Sequence, residues 1–151
     1  MRRSLVLDNM ALAGNLRARR MLVGTAENNE DVQRRIIDEV INQKNLDLAD
    51  EPFSEDHELH PLALGVGHGP EGMKQAFAGL REESPDVHVE IESIVAEGDM
   101  VAVRLSFSGT HAPSGERATW PEMVFARFSE GKAVESWEVT DTGRRWDSPP
   151  W

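Results

Sequence analysis

The sequence predicts an α+β protein, with its helices in the first half and a series of long strands in the second. Val32, Ile36 and Val40 recur at four-residue spacing, which is typical of a helix with one apolar face. After Pro85 the apolar residues recur at every second position, most regularly over residues 101–107, which is typical of half-buried strands. Helices followed by a run of strands indicate an α+β fold. The 151 residues are enough for one such domain with its own core.

The first half is predicted to contain two main helices and two short elements. Asn28 is a suitable N-cap for the first helix, because acidic residues follow it directly. A short helix or turn is expected over residues 46–53, and a short strand over residues 57–60. Pro70 suits the first turn of the second main helix, which should end before Pro85.

The second half is predicted to contain four strands, over residues 86–97, 101–108, 117–128 and 132–141. Glycine-containing turns at Gly98 and Gly131 separate the first two strands and the last two. Because short turns join antiparallel neighbours, these strands should form an antiparallel meander.

Composition and charge exclude several classes of function. The formal net charge of −11 argues against a nucleic-acid surface and against binding to an anionic membrane. The absence of cysteine excludes disulfides, thiolate nucleophiles and cysteine-based metal sites, and it is compatible with a reducing cytoplasm. No apolar run is long enough to cross a bilayer. We therefore expect a cytoplasmic protein.

The expected domain organisation is a basic N-terminal arm, residues 1–27, and a single domain with a C-terminal tail, residues 28–151. Five arginines against Asp8 and Glu27 give the arm a charge of +3 and leave −14 for the remaining residues. Such an arm is expected to dock on its own domain or on a sister subunit. The alternatives are a loose tail, or a natural start at Met21.

Three motifs in the second half carry a resemblance to a known family. They are Gly-Thr-His at residues 109–111, Phe-Ala-Arg-Phe at 125–128, and Glu-Gly-Lys-Ala-Val-Glu-Ser-Trp-Glu at 130–138. Together they resemble the SnoaL-like polyketide cyclase family, within the nuclear-transport-factor-2-like superfamily. The resemblance implies a cone-shaped α+β barrel, in which N-terminal helices pack in a curved antiparallel sheet around an apolar pocket. It also implies a reaction without a cofactor, and dimers that form through the outer face of the sheet.

The same resemblance implies which residues act on the substrate. In the cyclases, the carboxylate directly after the motif tryptophan is the acid/base residue, which corresponds to Glu138 here. The cyclases also place a Gln and a His two residues apart on the preceding strand, at positions that correspond to Glu122 and Val124. The implied reaction is an aldol-type ring closure of a polyketide-like small molecule, and this chain departs from the cyclase pattern at residues 122 and 124.

Strand alternation alone leaves the position of Glu138 open. Residues 134, 136, 138 and 140 share one face of the last strand, and neither face is purely apolar. An isolated Glu in a strand is usually a solvated charge, and only the resemblance favours the pocket. Glu122 shares a face with Trp120 and Phe128, and it either reaches water beside Pro121 or approaches Glu138. Two carboxyls in close approach would share a proton.

Four further residues, together with Val124, are candidates for substrate binding. Trp120 and Phe128 are expected either as pocket wall or as plain core. Arg104 is a candidate because limonene-epoxide-hydrolase-like relatives use an Arg followed two residues later by Asp, but Ser106 stands at that position here. The alternative for Arg104 is an exposed position on the outer face. His60 is a candidate at the mouth of the pocket.

A metal site is not expected from the sequence. His57 and His60 are three residues apart, so on a strand their side chains point to opposite faces and do not share an ion. Two alternatives to a cyclase stay open at this point. One is a non-catalytic protein that only binds a small molecule, and the other is a hydroxylase-like or epoxide-hydrolase-like enzyme. A homodimer is expected in each case.

Overall fold

The computed structural model describes residues 25–60 and 67–140. Its first element, α1, is α-helical over residues 25–35 and continues as a π-helix, Ile36–Asn42. The prediction that Asn28 caps this helix is wrong, because residues 25–27 are already helical. Most of the predicted basic arm and the C-terminal tail beyond residue 140 lie outside the described residues.

Two helical segments and one strand follow α1. A 3₁₀ helix, Leu46–Asp50, leads into strand β1, Phe53–His60, which is longer than the sequence predicts. Helix α2, Gly69–Glu83, has Pro70 in its first turn and ends before Pro85, as predicted. Gly69 has a positive φ of 66°, and a Cβ at this position would lie 2.5 Å from the carbonyl oxygen of Glu55. Only glycine therefore fits where α2 begins against β1.

The remaining four strands form the predicted meander. They are β2, His88–Glu97, β3, Met100–Thr110, β4, Arg117–Ser129, and β5, Lys132–Thr140. The strand order is β1-β5-β4-β3-β2, and all neighbours are antiparallel except β1 and β5. The sheet is therefore mixed, whereas the sequence predicts an antiparallel one. Strand β1 contributes the parallel pair, and the helix and three strands between β1 and β5 provide the long connection that parallel strands require.

The two faces of the sheet differ sharply in burial. On the inner face, Val101, Val103, Leu105 and Phe107 of β3 are at most 4% exposed and pack with residues of α1 such as Ile37 and Val40. The outer face leaves large apolar side chains in solvent, namely Val95, Met123, Phe125 and Val139. The core thus lies between the helices and the inner face, while the outer face remains uncovered by described residues.

The Gly-Thr-His motif has a structural role at the end of β3. A side chain at Gly109 would collide with Ser84, which is fully buried. The backbone N–H and the hydroxyl of Thr110 donate to the two carboxylate oxygens of Asp86, at 2.6 and 2.8 Å. The backbone bond from Thr110 is the main cause of the lowered pKa of Asp86. The motif therefore fastens the end of β3 to the segment that precedes β2.

Candidate active site

The register between β4 and β5 decides where Glu138 lies. Glu138 is directly opposite Val124, and Ser136 is opposite Ala126, so both polar residues share the face of two buried apolar residues. Trp137 pairs with the exposed Phe125 and points to the outer face. Glu138 is therefore on the inner face of the sheet, beside buried apolar residues of β4.

The Glu138 carboxyl has a neighbour of the same charge. Glu122 is opposite Thr140 on the next inner-face rung, and it accepts a 2.7 Å hydrogen bond from the hydroxyl of Thr140. Burial raises the pKa of Glu138 to about 8, and the negative charge of Glu122 adds to this effect. Desolvation and a like charge both favour the protonated carboxyl. Glu138 thus exchanges its proton close to neutral pH.

Polar residues occupy three successive inner-face positions of β5, namely Ser136, Glu138 and Thr140. His57 of β1 extends this strip, since its Nε2 atom lies 3.0 Å from the Oγ atom of Ser136. The His57 ring is 1% exposed and packs edge-to-face on Phe53, and burial lowers its pKa to about 4. A neutral imidazole therefore adjoins the strip at neutral pH.

Sequence reasoning missed the contribution of His57, Ser136 and Thr140 to this strip. The alternation of polar residues at 136, 138 and 140 was a usable signal for one side of it. No local signal connects His57 to Ser136, because the contact depends on the long-range pairing of β1 with β5.

The three apolar residues predicted to bind substrate lie on the inner face, at different distances from Glu138. Val124 is its direct partner, and Trp120 packs in the same core cluster, stacked on Phe107 at 5.5 Å. Phe128 belongs to the other cluster, with Phe53 and Ala133. It is four residues along β4 from Val124, which corresponds to about 14 Å. Phe128 is therefore core at the far end of the sheet.

Arg104 and His60 do not share a face with Glu138, so their prediction as lining residues of the same pocket is corrected. Arg104 pairs with the exposed Met123 and forms an ion pair with Glu92 on the outer face. His60 pairs with Trp137 and stacks on its ring at 5.6 Å, also on the outer face. Side chains alternate between the two faces along each strand, and Arg104 and His60 stand at positions that point to the outer face.

A comparison with protein-family models identifies the family. Residues 31–143, three quarters of the chain, match the model described as SnoaL-like polyketide cyclase. The chain belongs to the SnoaL-like polyketide cyclase family. No curated protein matches its sequence significantly.

Solved structures agree with the cone-shaped α+β fold of this SnoaL-like protein. A protein from Bacillus cereus ATCC 10987, provisionally called a polyketide cyclase, has 28% identity and a TM-score of 0.70, with 76% of this chain and 75% of that chain covered. AclR from Streptomyces galilaeus, provisionally called a hydroxylase, has 25% identity and a TM-score of 0.66, with 78% and 91% covered. A SnoaL-like polyketide cyclase from Agrobacterium tumefaciens has 22% identity and a TM-score of 0.67, with 77% and 93% covered.

Two further observations bear on the kind of function. In the described part of this SnoaL-like protein, no helix is long and apolar enough to span a membrane. One trio of described side chains could hold a metal ion, namely Glu58, His60 and Glu135. This trio lies on the outer face, away from Glu138.

Proposed function

We propose that this SnoaL-like protein is an enzyme that closes a ring in a polyketide-like small molecule by an aldol-type reaction. The observation that carries the proposal is the Glu138 carboxyl, which lies on the inner face opposite the buried Val124 and near Glu122, and has a pKa raised to about 8. General acid/base groups work best when their pKa is near the operating pH. A surface glutamate would be a much weaker base at that pH.

In the proposed reaction, the carboxylate form of Glu138 removes a proton from a carbon next to a carbonyl. The resulting enolate carbon attacks a second carbonyl of the same molecule, which forms the new C–C bond. The oxygen of the attacked carbonyl then takes up a proton, from Glu138 or from a water held by Glu122. The product is an isomer of the substrate, and the reaction requires proton transfers only, so the proposal includes no cofactor.

The raised pKa of Glu138 supports both proton transfers, the removal of the proton from carbon and its return to oxygen. A carboxylate with a raised pKa is a stronger base than an ordinary one, and its protonated form can return the proton near neutral pH. General-base assistance of this kind contributes about 10²–10⁴ in rate. Orientation of the two reacting carbons on the apolar face would add further acceleration.

The chemistry of the inner face indicates the class of substrate. Val124 and Trp120 place apolar side chains on the face that carries the carboxyl pair, while Ser136 and Thr140 place hydroxyls on the same face of β5. A flat, largely apolar molecule with several carbonyl or hydroxyl oxygens fits this combination.

The test is turnover by Glu138→Gln on linear and partly cyclised molecules that carry a methylene between two carbonyls. Mass spectrometry would separate the product isomer from the substrate by retention time. We expect the variant to bind the substrate but to lose turnover by at least about a hundredfold, as removal of a general base does. Glu90→Gln, at an exposed position on β2, is the matched control and should keep full activity. Equal turnover by both variants would contradict the proposal.

The second candidate is a hydroxylase-type reaction, which the 25% identity to AclR favours. An epoxide hydrolase is less well supported, because Arg104 is on the opposite face from Glu138. A product heavier than its substrate by one oxygen atom would favour the hydroxylase. Tight binding without any product, in the wild type, would favour a protein that only binds its ligand.

We also propose that the protein forms a homodimer through the outer face of the sheet. Val95, Ala102, Phe125 and Trp137 form one continuous row across four strands of this face. Val95 is 66% exposed and Phe125 is 51% exposed, and apolar patches of this kind mark association surfaces. A cytoplasmic location and docking of the N-terminal arm stay predictions of the sequence.

A further inference from the structure

The outer face carries a second cluster of chemically active side chains, at the seam between β1 and β5. Glu58 and Glu135 are direct partners in the parallel register, and His60 follows on the same face of β1. The Nε2 atom of His60 lies 3.1 Å from Oε1 of Glu135 and 3.7 Å from Oε2 of Glu58. One donor atom from each residue lies within 4.8 Å of the other two.

We propose that Glu58, His60 and Glu135 form a binding site for a divalent transition-metal cation of the zinc type. Zinc binds nitrogen and oxygen ligands at about 2.0–2.2 Å in a tetrahedral arrangement, which places ligand atoms about 3.4 Å apart. The two distances from His60 lie on either side of this value. The remaining adjustment falls to Glu58, whose side chain is 51% exposed.

Neighbouring side chains hold two of the three ligands in place. The His60 ring stacks on Trp137 with an interplanar angle of 17°, which fixes the direction of Nε2. Arg127 binds the Oε2 atom of Glu135 at 2.6 Å and leaves Oε1 directed at His60. Arg127 itself lies over the Trp137 ring at 5.2 Å. In metal sites, residues around the ligands typically hydrogen-bond to them or pack on them and so fix their orientation.

The charge and ligand types indicate which cation would bind. Two carboxylates directly opposite each other on neighbouring strands repel, and a cation between them relieves this repulsion. An imidazole with two carboxylates suits zinc, cobalt or nickel better than calcium or magnesium, which prefer oxygen ligands alone. Three protein ligands leave a fourth position open for water or another small ligand. The positive charge of Arg127, which pairs with Glu135, lowers the expected affinity for a cation.

This site is independent of the proposed ring closure. His57 and His60 do point to opposite faces, as strand alternation requires, so they do not share an ion. The other two ligands are Glu58, on the same strand as His60, and Glu135, on the neighbouring strand. The spacing of residues in the sequence could not show the contribution of Glu135. The ion would lie across the sheet from Glu138 and would take no part in proton transfer there.

The test is a zinc titration by calorimetry on full-length protein without a histidine tag, after treatment with a chelator. His60→Phe keeps a ring to stack on Trp137 and removes the nitrogen ligand, while Glu58→Gln changes one half-exposed side chain. Glu92→Gln, at an exposed position on β2, is the control. Far-UV circular dichroism and melting in chelator would show that each variant is folded, and cobalt absorption would report tetrahedral coordination.

We expect one zinc per chain in the wild type and in Glu92→Gln. Both His60→Phe and Glu58→Gln should bind zinc at least tenfold more weakly, and the cobalt spectrum should lose its tetrahedral bands. Zinc binding by either variant that equals wild-type binding would overturn the proposal, because the remaining surface histidines would then account for the signal. No zinc binding by the wild type would overturn it as well. Neither result bears on turnover by Glu138→Gln, so the two proposals fail separately.

Discussion

Val124 and Glu138 lie directly opposite each other across the β4–β5 ladder, so a buried valine and a carboxyl share one face of the sheet. A carboxylate in such a position is costly unless a partner, water or function compensates for it. The pKa of Glu138 is therefore raised to about 8, so the carboxyl stays protonated to a higher pH than an ordinary glutamate. The position of Glu138 opposite Val124 and the charge of Glu122 together allow the Glu138 carboxyl to exchange its proton near neutral pH.

The first prediction concerns stability and pH. The pKa of Glu138 is raised in the folded state, so its stabilising contribution is fully present below the unfolded value of about 4.5 and is lost as pH rises to about 8. Glu138→Gln is always neutral and avoids this loss. The variant should be more stable than the wild type at pH 9 by roughly 1–3 kcal/mol, with little difference near pH 4.5.

Urea unfolding of both proteins at the two pH values would measure this difference. Glu90→Gln is the control, and its stability relative to wild type should not change with pH in this way. A Glu138→Gln difference that is the same at both pH values would show that Glu138 has the same pKa in the folded and unfolded states, contrary to its raised pKa.

The second prediction separates the two causes of that raised pKa. Burial is the larger cause and the charge of Glu122 is the smaller one. In Glu122→Gln the pKa of Glu138 should therefore fall below 8 but stay above its ordinary value of 4.5. The carboxyl ¹³C shift of Glu138, followed by NMR through a pH titration, would measure it. A return to the ordinary value would make Glu122 the dominant cause and would contradict this ranking.

The third prediction concerns the contact between His57 and Ser136. Ser136→Ala would leave the buried Nε2 atom of His57 without its hydroxyl partner. A buried polar atom that loses its partner costs about 1–3 kcal/mol, so the free energy of unfolding should fall by that amount. Ser93→Ala, at an exposed position on β2, should change it by less than about 0.5 kcal/mol. Equal effects in the two variants, measured by chemical unfolding, would argue against a structural role for this bond.

The fourth prediction concerns assembly. Phe125→Glu places a charge in the middle of the exposed apolar row and should convert the proposed dimer into a monomer at micromolar concentration. Gln75→Glu adds the same charge at an exposed position on α2, away from the outer face of the sheet, and should leave the dimer intact. Sedimentation velocity would measure both. A wild-type protein that sediments as a monomer would remove the basis for a dimer.

The sequence was informative where the physics is local. Alternation over residues 101–107 predicted β3, and Pro70 placed the start of α2 correctly. The motif around Trp137 predicted the family, which the match over residues 31–143 confirms. These signals depend on residues close together in the chain, so a single sequence contains them.

Long-range pairing is what the sequence could not supply. The parallel partnership of β1 with β5 joins residues more than seventy positions apart, and it determines that His57 meets Ser136 while His60 meets Glu135. Whether His60 and Arg104 share a face with Glu138 depends on the pairings between strands across the sheet. Alternation defines two faces for each strand, but it does not show which face of one strand continues onto the next.

The most direct measurement of the central claim is the ionisation of Glu138 in the wild-type protein. A ¹³C NMR titration of the carboxyl carbons, with the Glu138 signal assigned by its absence in Glu138→Gln, requires no substrate. We predict a midpoint near pH 8, since burial on the inner face and the charge of Glu122 both favour the protonated form. A midpoint near 4.5, the ordinary value for glutamate, would show a solvated carboxylate and would contradict the proposal that Glu138 is the acid/base residue.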